Sequence, residues 1–118
     1  MSEIVQVKIK EPWFSYIKMG VKKVEGRVCC DEWANLEDGQ YLLIIDPESN
    51  KSFTAKIIKI RNYDDIDTYI MAESLENILP EVSNVNIARQ IYLQWCPENE
   101  IKQYGFKSVE LQVIKTEV

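Results

Sequence analysis

Apolar and polar positions follow two different periods along the chain, and the switch between them orders the elements. Gln6-Val7-Lys8-Ile9-Lys10 alternates with period two and predicts a half-buried strand. Glu11-Pro12 then opens a helix over 12–19. Trp13 and Ile17 lie on one face of it, Phe14 and Tyr16 stand nearby, and Gly20 ends it. A strand over 24–30 follows. The polar run 35–40 reads as a turn, and Tyr41-Leu42-Leu43-Ile44-Ile45 as a strand buried on both sides. Residues 46–51 have the composition of a hairpin loop. Phe53, Ala55, Ile57 and Ile60 mark a long strand over 52–61. Helical spacing returns over 64–79, capped by Asp64 or Asp65 and stopped at Leu79-Pro80, and again over 85–95, stopped by Pro97. Period two resumes over 106–114, where Val109, Leu111 and Val113 alternate with Glu110 and Gln112.

The predicted order is strand, helix, several strands, two helices, strand. A last strand so far along the chain most simply returns to pair with an early one, closing a small barrel with helices outside. The 118 residues suit a single domain over 1–118, large enough to bury a core without disulfides or structural metal.

Composition narrows the chemistry. With 46% hydrophobic and 28% charged residues the chain reads as an ordinary globular protein. It has no apolar run of membrane-spanning length and no leader-like N-terminus, so the expected location is intracellular, cytoplasmic or nuclear, and not secreted. Cys29, Cys30 and Cys96 read as reduced, mostly buried thiols. Histidine is absent, which excludes Ser-His and Cys-His catalysis and any His-ligated metal. Asp64, Asp65 and Asp67 read as a helix start favoured by the macrodipole and not as a metal site. No metal and no cofactor are expected. A net charge of −5 argues against coating long nucleic acids, yet leaves room for a local basic pocket that takes one nucleotide or a short single strand.

The candidate chemistry concentrates in Gly20-Val21-Lys22-Lys23-Val24-Glu25-Gly26-Arg27. Lys22, Glu25 and Arg27 fall at a helix-to-strand junction, where charged groups can point together into a cleft. Gly20, Lys22, Glu25 and Arg27, spaced Gly-x-Lys-x-x-Glu-x-Arg, resemble the signature of the ASCH domain family, a branch of the PUA-like superfamily. Leu75, Leu79, Pro80, Tyr92, Tyr104, Gly105 and Phe106, with Glu73 just before them, resemble the distal half of one ASCH subgroup, so the likeness spans nearly the whole chain.

The resemblance implies an α+β fold: a small PUA-like closed or partly open β-barrel of about five to six strands, flanked by about two to three helices. It implies an RNA- or nucleotide-binding cleft lined by the signature. For those members that remove the acetyl group of acetylcytidine, it also implies a catalytic lysine helped by a threonine and a helix glutamate. The lysine position is Lys22. The threonine position holds Glu25 here, and the glutamate falls within 73–76, with Glu73 favoured over Glu76.

Each site residue has a plainer reading beside the functional one. Lys22 with a carboxylate nearby tends to stay protonated, which favours binding phosphate or carbonyl over attack as a neutral amine. Glu25 and Arg27 share a strand face and form either an ordinary ion pair or a fork for phosphate or a base edge. Lys23 adds a second cation. Trp33, in a loop after the motif strand, is the expected stacking platform, whereas Tyr92 and Trp95 fit an apolar helix face and read as core. Tyr104 is a candidate hydroxyl donor, and Glu73 is either a catalytic partner or an exposed helix residue. The leading expectation is therefore a cleft holding a nucleobase, nucleotide or short single-stranded RNA on Lys22, Lys23, Glu25, Arg27, Trp33 and Tyr104. One alternative is an acetylcytidine amidohydrolase using Lys22, Glu25 and Glu73. Another is a protein-interaction adaptor with a vestigial cleft.

Overall fold

The computed structural model describes residues 4–28 and 31–114. Cys29 and Cys30, and with them the end of the strand expected over 24–30, lie outside the described residues. Five strands form one sheet in the order β1-β3-β4-β5-β2, where β1 is Val5–Lys8, β2 Val24–Val28, β3 Tyr41–Ile45, β4 Ser52–Tyr63 and β5 Phe106–Val113. β1 runs parallel to β3, and every other neighbouring pair is antiparallel. The last strand does return to an early one, since Gly26 of β2 pairs with Ser108 of β5. β1 and β2 remain as the two edges, so the sheet curls into a half-barrel and not a closed cylinder.

Helices cover this sheet. α1 (Trp13–Lys18) buries Trp13, Phe14 and Ile17, and Phe14 meets Phe53 of β4 edge-on at 5.0 Å between ring centroids. The helix expected over 64–79 is two helices, α2 (Ile66–Glu73) and α3 (Leu75–Ile78). The break is Ser74, whose φ of 75° no α-helix accommodates. Asp65 caps α2 through Thr68 N, as the sequence suggests. α4 (Val85–Leu93) ends two residues before Trp95. α5 (Glu98–Tyr104), preceded by Pro97 and stopped by Gly105 at φ 84°, was not foreseen in the periodicity because only Ile101 of its residues is buried. Among the described residues five α-helices therefore flank the sheet, against the two to three expected.

The face of β2 that carries Gly26 packs on α2 and α4. Tyr69 and Tyr92 share a hydroxyl hydrogen bond of 2.7 Å there, and both rings pack on Phe106. A Cβ on Gly26 would stand 2.5 Å from the Tyr69 hydroxyl and 2.8 Å from the Phe106 ring. Neither neighbour is free to retreat, as both are fully buried. Gly26→Ala should therefore destabilise the domain by about 1–3 kcal/mol, the usual cost of overpacking. Urea denaturation measures it, and an unchanged midpoint would refute the close approach.

Candidate functional site

Period two on β2 sends Glu25 and Arg27 to the face opposite Gly26. Lys22 precedes the strand in the turn that Gly20 permits at φ 81°. The three charges meet, but inside the wall of the protein. Lys22 is fully buried. Its ammonium donates to Val24 O at 2.6 Å and to Ile78 O, and stands 3.3 Å from Glu25 Oε1 as an ion pair. Ile78 is the last residue of α3, so the lysine satisfies a carbonyl the helix leaves open. Arg27 Nε and Nη2 both donate to Glu25 Oε2, at 3.1 and 2.8 Å.

The electrostatics follow from burial. Desolvation pushes the Glu25 carboxyl up, but Arg27 and Lys22 outweigh it and hold the group below the ordinary range. Desolvation pushes Lys22 down, and the opposing pull of Glu25 does not fully restore it. Arg27 is raised: burial works against its charge, and Glu25 overcomes burial. Exposed Glu32 adds the weakest of the fields that hold Arg27 charged. One carboxylate thus serves two cations and leaves a positive charge over.

Of the three, Arg27 lines one hollow, and Lys22 borders a different one with Lys23 although its side chain has no exposed surface. The Arg27 guanidinium lies over the Trp33 ring at 4.9 Å and the Trp95 ring at 5.6 Å from the centroids. It shares a cleft of about 270 Å³ with Lys8, Lys10, Trp13, Pro47 and Trp95. The cleft joins the two edges of the sheet: Lys8 and Lys10 belong to β1 and its extension, and Arg27 to β2. Val7 and Ile9 are buried, so alternation turns Lys8 and Lys10 outward together. Among the described residues no carboxylate lines the cleft.

Several expectations need correction. Lys22 and Glu25 do not line the cleft that Arg27 lines; they are the buried support of Arg27. Trp33 is only 4% exposed and is no open platform. The buried Lys107 draws it in, donating to Trp33 O and Ala34 O at 2.7 and 3.0 Å, while Arg27 lies over its ring. Lys23 is exposed and lines a separate hollow with Lys22, residues 17–20 and residues 111–113, away from Arg27. Tyr104 is exposed at the end of α5 and does not line the Arg27 cleft. Glu73 is neither an exposed helix residue nor a partner of Lys22. It is buried and takes Arg61 Nε and Nη2 at 2.7 and 2.9 Å and the Tyr63 hydroxyl at 2.6 Å. Burial pushes its carboxyl up, but those donors bring it below the ordinary range. Arg61 pairs across with Ser108, which pairs with Gly26, so Glu73 works on the face opposite Glu25. Glu76 is exposed.

The sequence reading missed Lys8, Lys10 and Trp95. Alternation already paired the lysines on one face, but nothing local reveals that β1 and β2 are opposite edges facing one gap. Trp95 reads as core only if the helix continues to it, and α4 stops at Leu93.

Glu25→Gln leaves Lys22 buried without its counter-charge and should destabilise by about 3–5 kcal/mol at neutral pH. The folded carboxyl holds its proton less tightly than the unfolded one. Its contribution is therefore complete above the unfolded value of about 4.3 and is lost as pH falls through the lower folded value. The stability gap between wild type and Glu25→Gln should be largest near neutrality and shrink on acidification below about pH 4. Denaturant melts across pH 3–7 check this, and a gap that widens in acid would refute it.

No protein-family model matches the chain, and no curated protein does. Solved structures do resemble it. Hypothetical protein PH0355 matches with a TM-score of 0.83 at 28% identity, over 92% of this chain and 97% of its own. Protein PF0455 from Pyrococcus furiosus matches with a TM-score of 0.78 at 25% identity, over 97% of this chain and 100% of its own. Protein EF3133 from Enterococcus faecalis V583 matches with a TM-score of 0.59 over 86% of this chain and 66% of its own, and at 11% identity it shares the fold alone. The α+β half-barrel with flanking helices is a fold common to these proteins.

Proposed function

We propose that this chain is an ASCH-type binding domain that holds a nucleotide or a short single-stranded RNA segment in the cleft between β1 and β2. The observation that carries this reading is the cleft's lining. Lys8, Lys10 and Arg27 supply three cations, half-buried Trp95 supplies indole surface, and no carboxylate intervenes among the described residues. Phosphate needs the first, an unstacked base uses the second, and their combination is the usual chemistry of single-strand recognition. Arg27 is the strongest donor of the set, since Glu25 and two indoles fix its plane before any ligand arrives.

The amidohydrolase reading is weaker. Burial does lower Lys22, as a nucleophilic lysine requires, but its side chain has no exposed surface and its hydrogens are engaged by Val24 O, Ile78 O and Glu25. A nitrogen so buried and so hydrogen-bonded does not favour attack on a substrate carbonyl. Glu73, the other half of the relay, is committed to Arg61 and Tyr63.

Fluorescence anisotropy with labelled single-stranded RNA of a few nucleotides tests the reading. Binding should weaken about three- to tenfold in Lys10→Ala and stay unchanged in Lys102→Ala, an exposed lysine on α5. With three cations engaged, the logarithm of affinity should fall against that of salt with a slope of about −2. Equal losses in the two variants, or cytidine released from acetylcytidine by wild type and not by Lys22→Ala, would overturn it.

A further inference from the structure

We infer that the group recognised in this cleft is a phosphomonoester, carried either by a free mononucleotide or by the phosphorylated end of a strand, and not the internal diester of a continuous strand. The inference rests on the reading above and names its ligand.

Three observations lead to it. Lys8 and Lys10 are two residues apart on extended backbone, so their stems emerge on one side about 6.5–7 Å apart. That spacing lets two ammonium groups bracket one phosphate between them. Arg27 faces them across the gap, carrying the positive charge that Glu25 does not cancel because Lys22 takes its other oxygen. An internal diester brings one negative charge to this set, whereas a monoester brings about 1.5 to 2 at neutral pH, the better match to three converging cations.

Size points the same way. At about 270 Å³ the cleft falls just below the roughly 300–1,000 Å³ of ordinary ligand pockets, a size that suits a small ligand better than a length of strand. Pro47 from the β3–β4 turn and Trp95 from beyond α4 complete the lining between the two edge strands. The phosphate is thus assigned to Lys8, Lys10 and Arg27, and the base to Trp95.

Calorimetry with nucleoside 5′-monophosphates, the matching nucleosides and the matching 3′,5′-cyclic nucleotides separates the possibilities, because the cyclic compounds keep base and sugar but present a singly charged diester. The monophosphates should bind at least about tenfold more tightly than either, and that preference should diminish below about pH 6, where the second phosphate proton returns. Lys8→Gln with Lys10→Gln changes two exposed side chains, so unfolding should be unaffected while the preference disappears and nucleoside affinity remains. Short RNA with a 5′-phosphate against the same RNA with a 5′-hydroxyl distinguishes a strand end from a free nucleotide. Equal affinity for monophosphate and cyclic nucleotide, or a preference that survives the double variant, overturns the inference. RNA binding that ignores the terminal phosphate overturns it while leaving the binding-domain reading intact. Failure of every nucleotide and every oligonucleotide to bind overturns both.

Discussion

One carboxylate organises this molecule. Glu25 stands on an edge strand, one oxygen on Arg27 and the other beside Lys22, and through Lys22 it reaches the last carbonyl of α3. Removing three charges from water costs several kcal/mol per ion, and buried ionic clusters can often be replaced by apolar side chains without loss of stability. Stability alone therefore gives no reason for the arrangement. What an apolar replacement cannot do is hold a guanidinium at fixed orientation on the lip of a cleft. The buried pair Lys22 and Glu25 reads as a mount, and Arg27 as what is mounted.

The cleft itself follows from an incomplete barrel. Five strands curl without closing, and the two unpaired edges, β1 and β2, leave a gap that α1 and the segment beyond α4 line with Trp13 and Trp95. Charged lysines on an edge strand have a plainer use, since they deter pairing with another chain. Lys8 and Lys10 serve that purpose whatever else they do. The plain use does not account for a third cation opposite them, set between two indole rings and supported from below by a buried counter-ion. Nor does it explain a lining free of acids among the described residues, in a chain where Asp and Glu outnumber Lys and Arg 19 to 14.

Local features were the legible ones. Alternation located β1 and β5, an unbroken apolar run located β3, and Phe53, Ala55, Ile57 and Ile60 located β4; Asp64 or Asp65 announced α2, and the spacing of Lys22, Glu25 and Arg27 announced that they meet. What stayed hidden depends on long-range geometry. Ser74 breaks the second helical region through a backbone angle that no periodicity encodes, and the break turns Asn77 and Ile78 toward the motif, where they accept from Lys23 N and Lys22 Nζ. Trp33 stands in a polar stretch and reads as exposed, yet Lys107, 74 residues away, pulls its backbone inward. Burial also reverses the roles within the motif. The lysine that is sharpest on paper becomes structural, and the arginine that reads as half of an ion pair becomes the group that faces solvent.

The same contrast between local and global applies to charge. A net charge of −5 suggests a protein that avoids polyanions. At physiological ionic strength, however, charges farther apart than about 8 Å are largely screened when solvent separates them. The principal axes of the molecule measure 41, 30 and 25 Å, so most of its carboxylates lie beyond that range from any given cleft. A phosphate at the lip of the gap would respond to Lys8, Lys10 and Arg27, the last left with its full charge because Lys22 neutralises Glu25 beneath it. The acidic remainder of the surface acts only on a long chain, each of whose outer phosphates it repels in turn. An acidic body with a basic cleft therefore selects against length, and a ligand that ends at the cleft escapes the repulsion that a strand passing over it would meet.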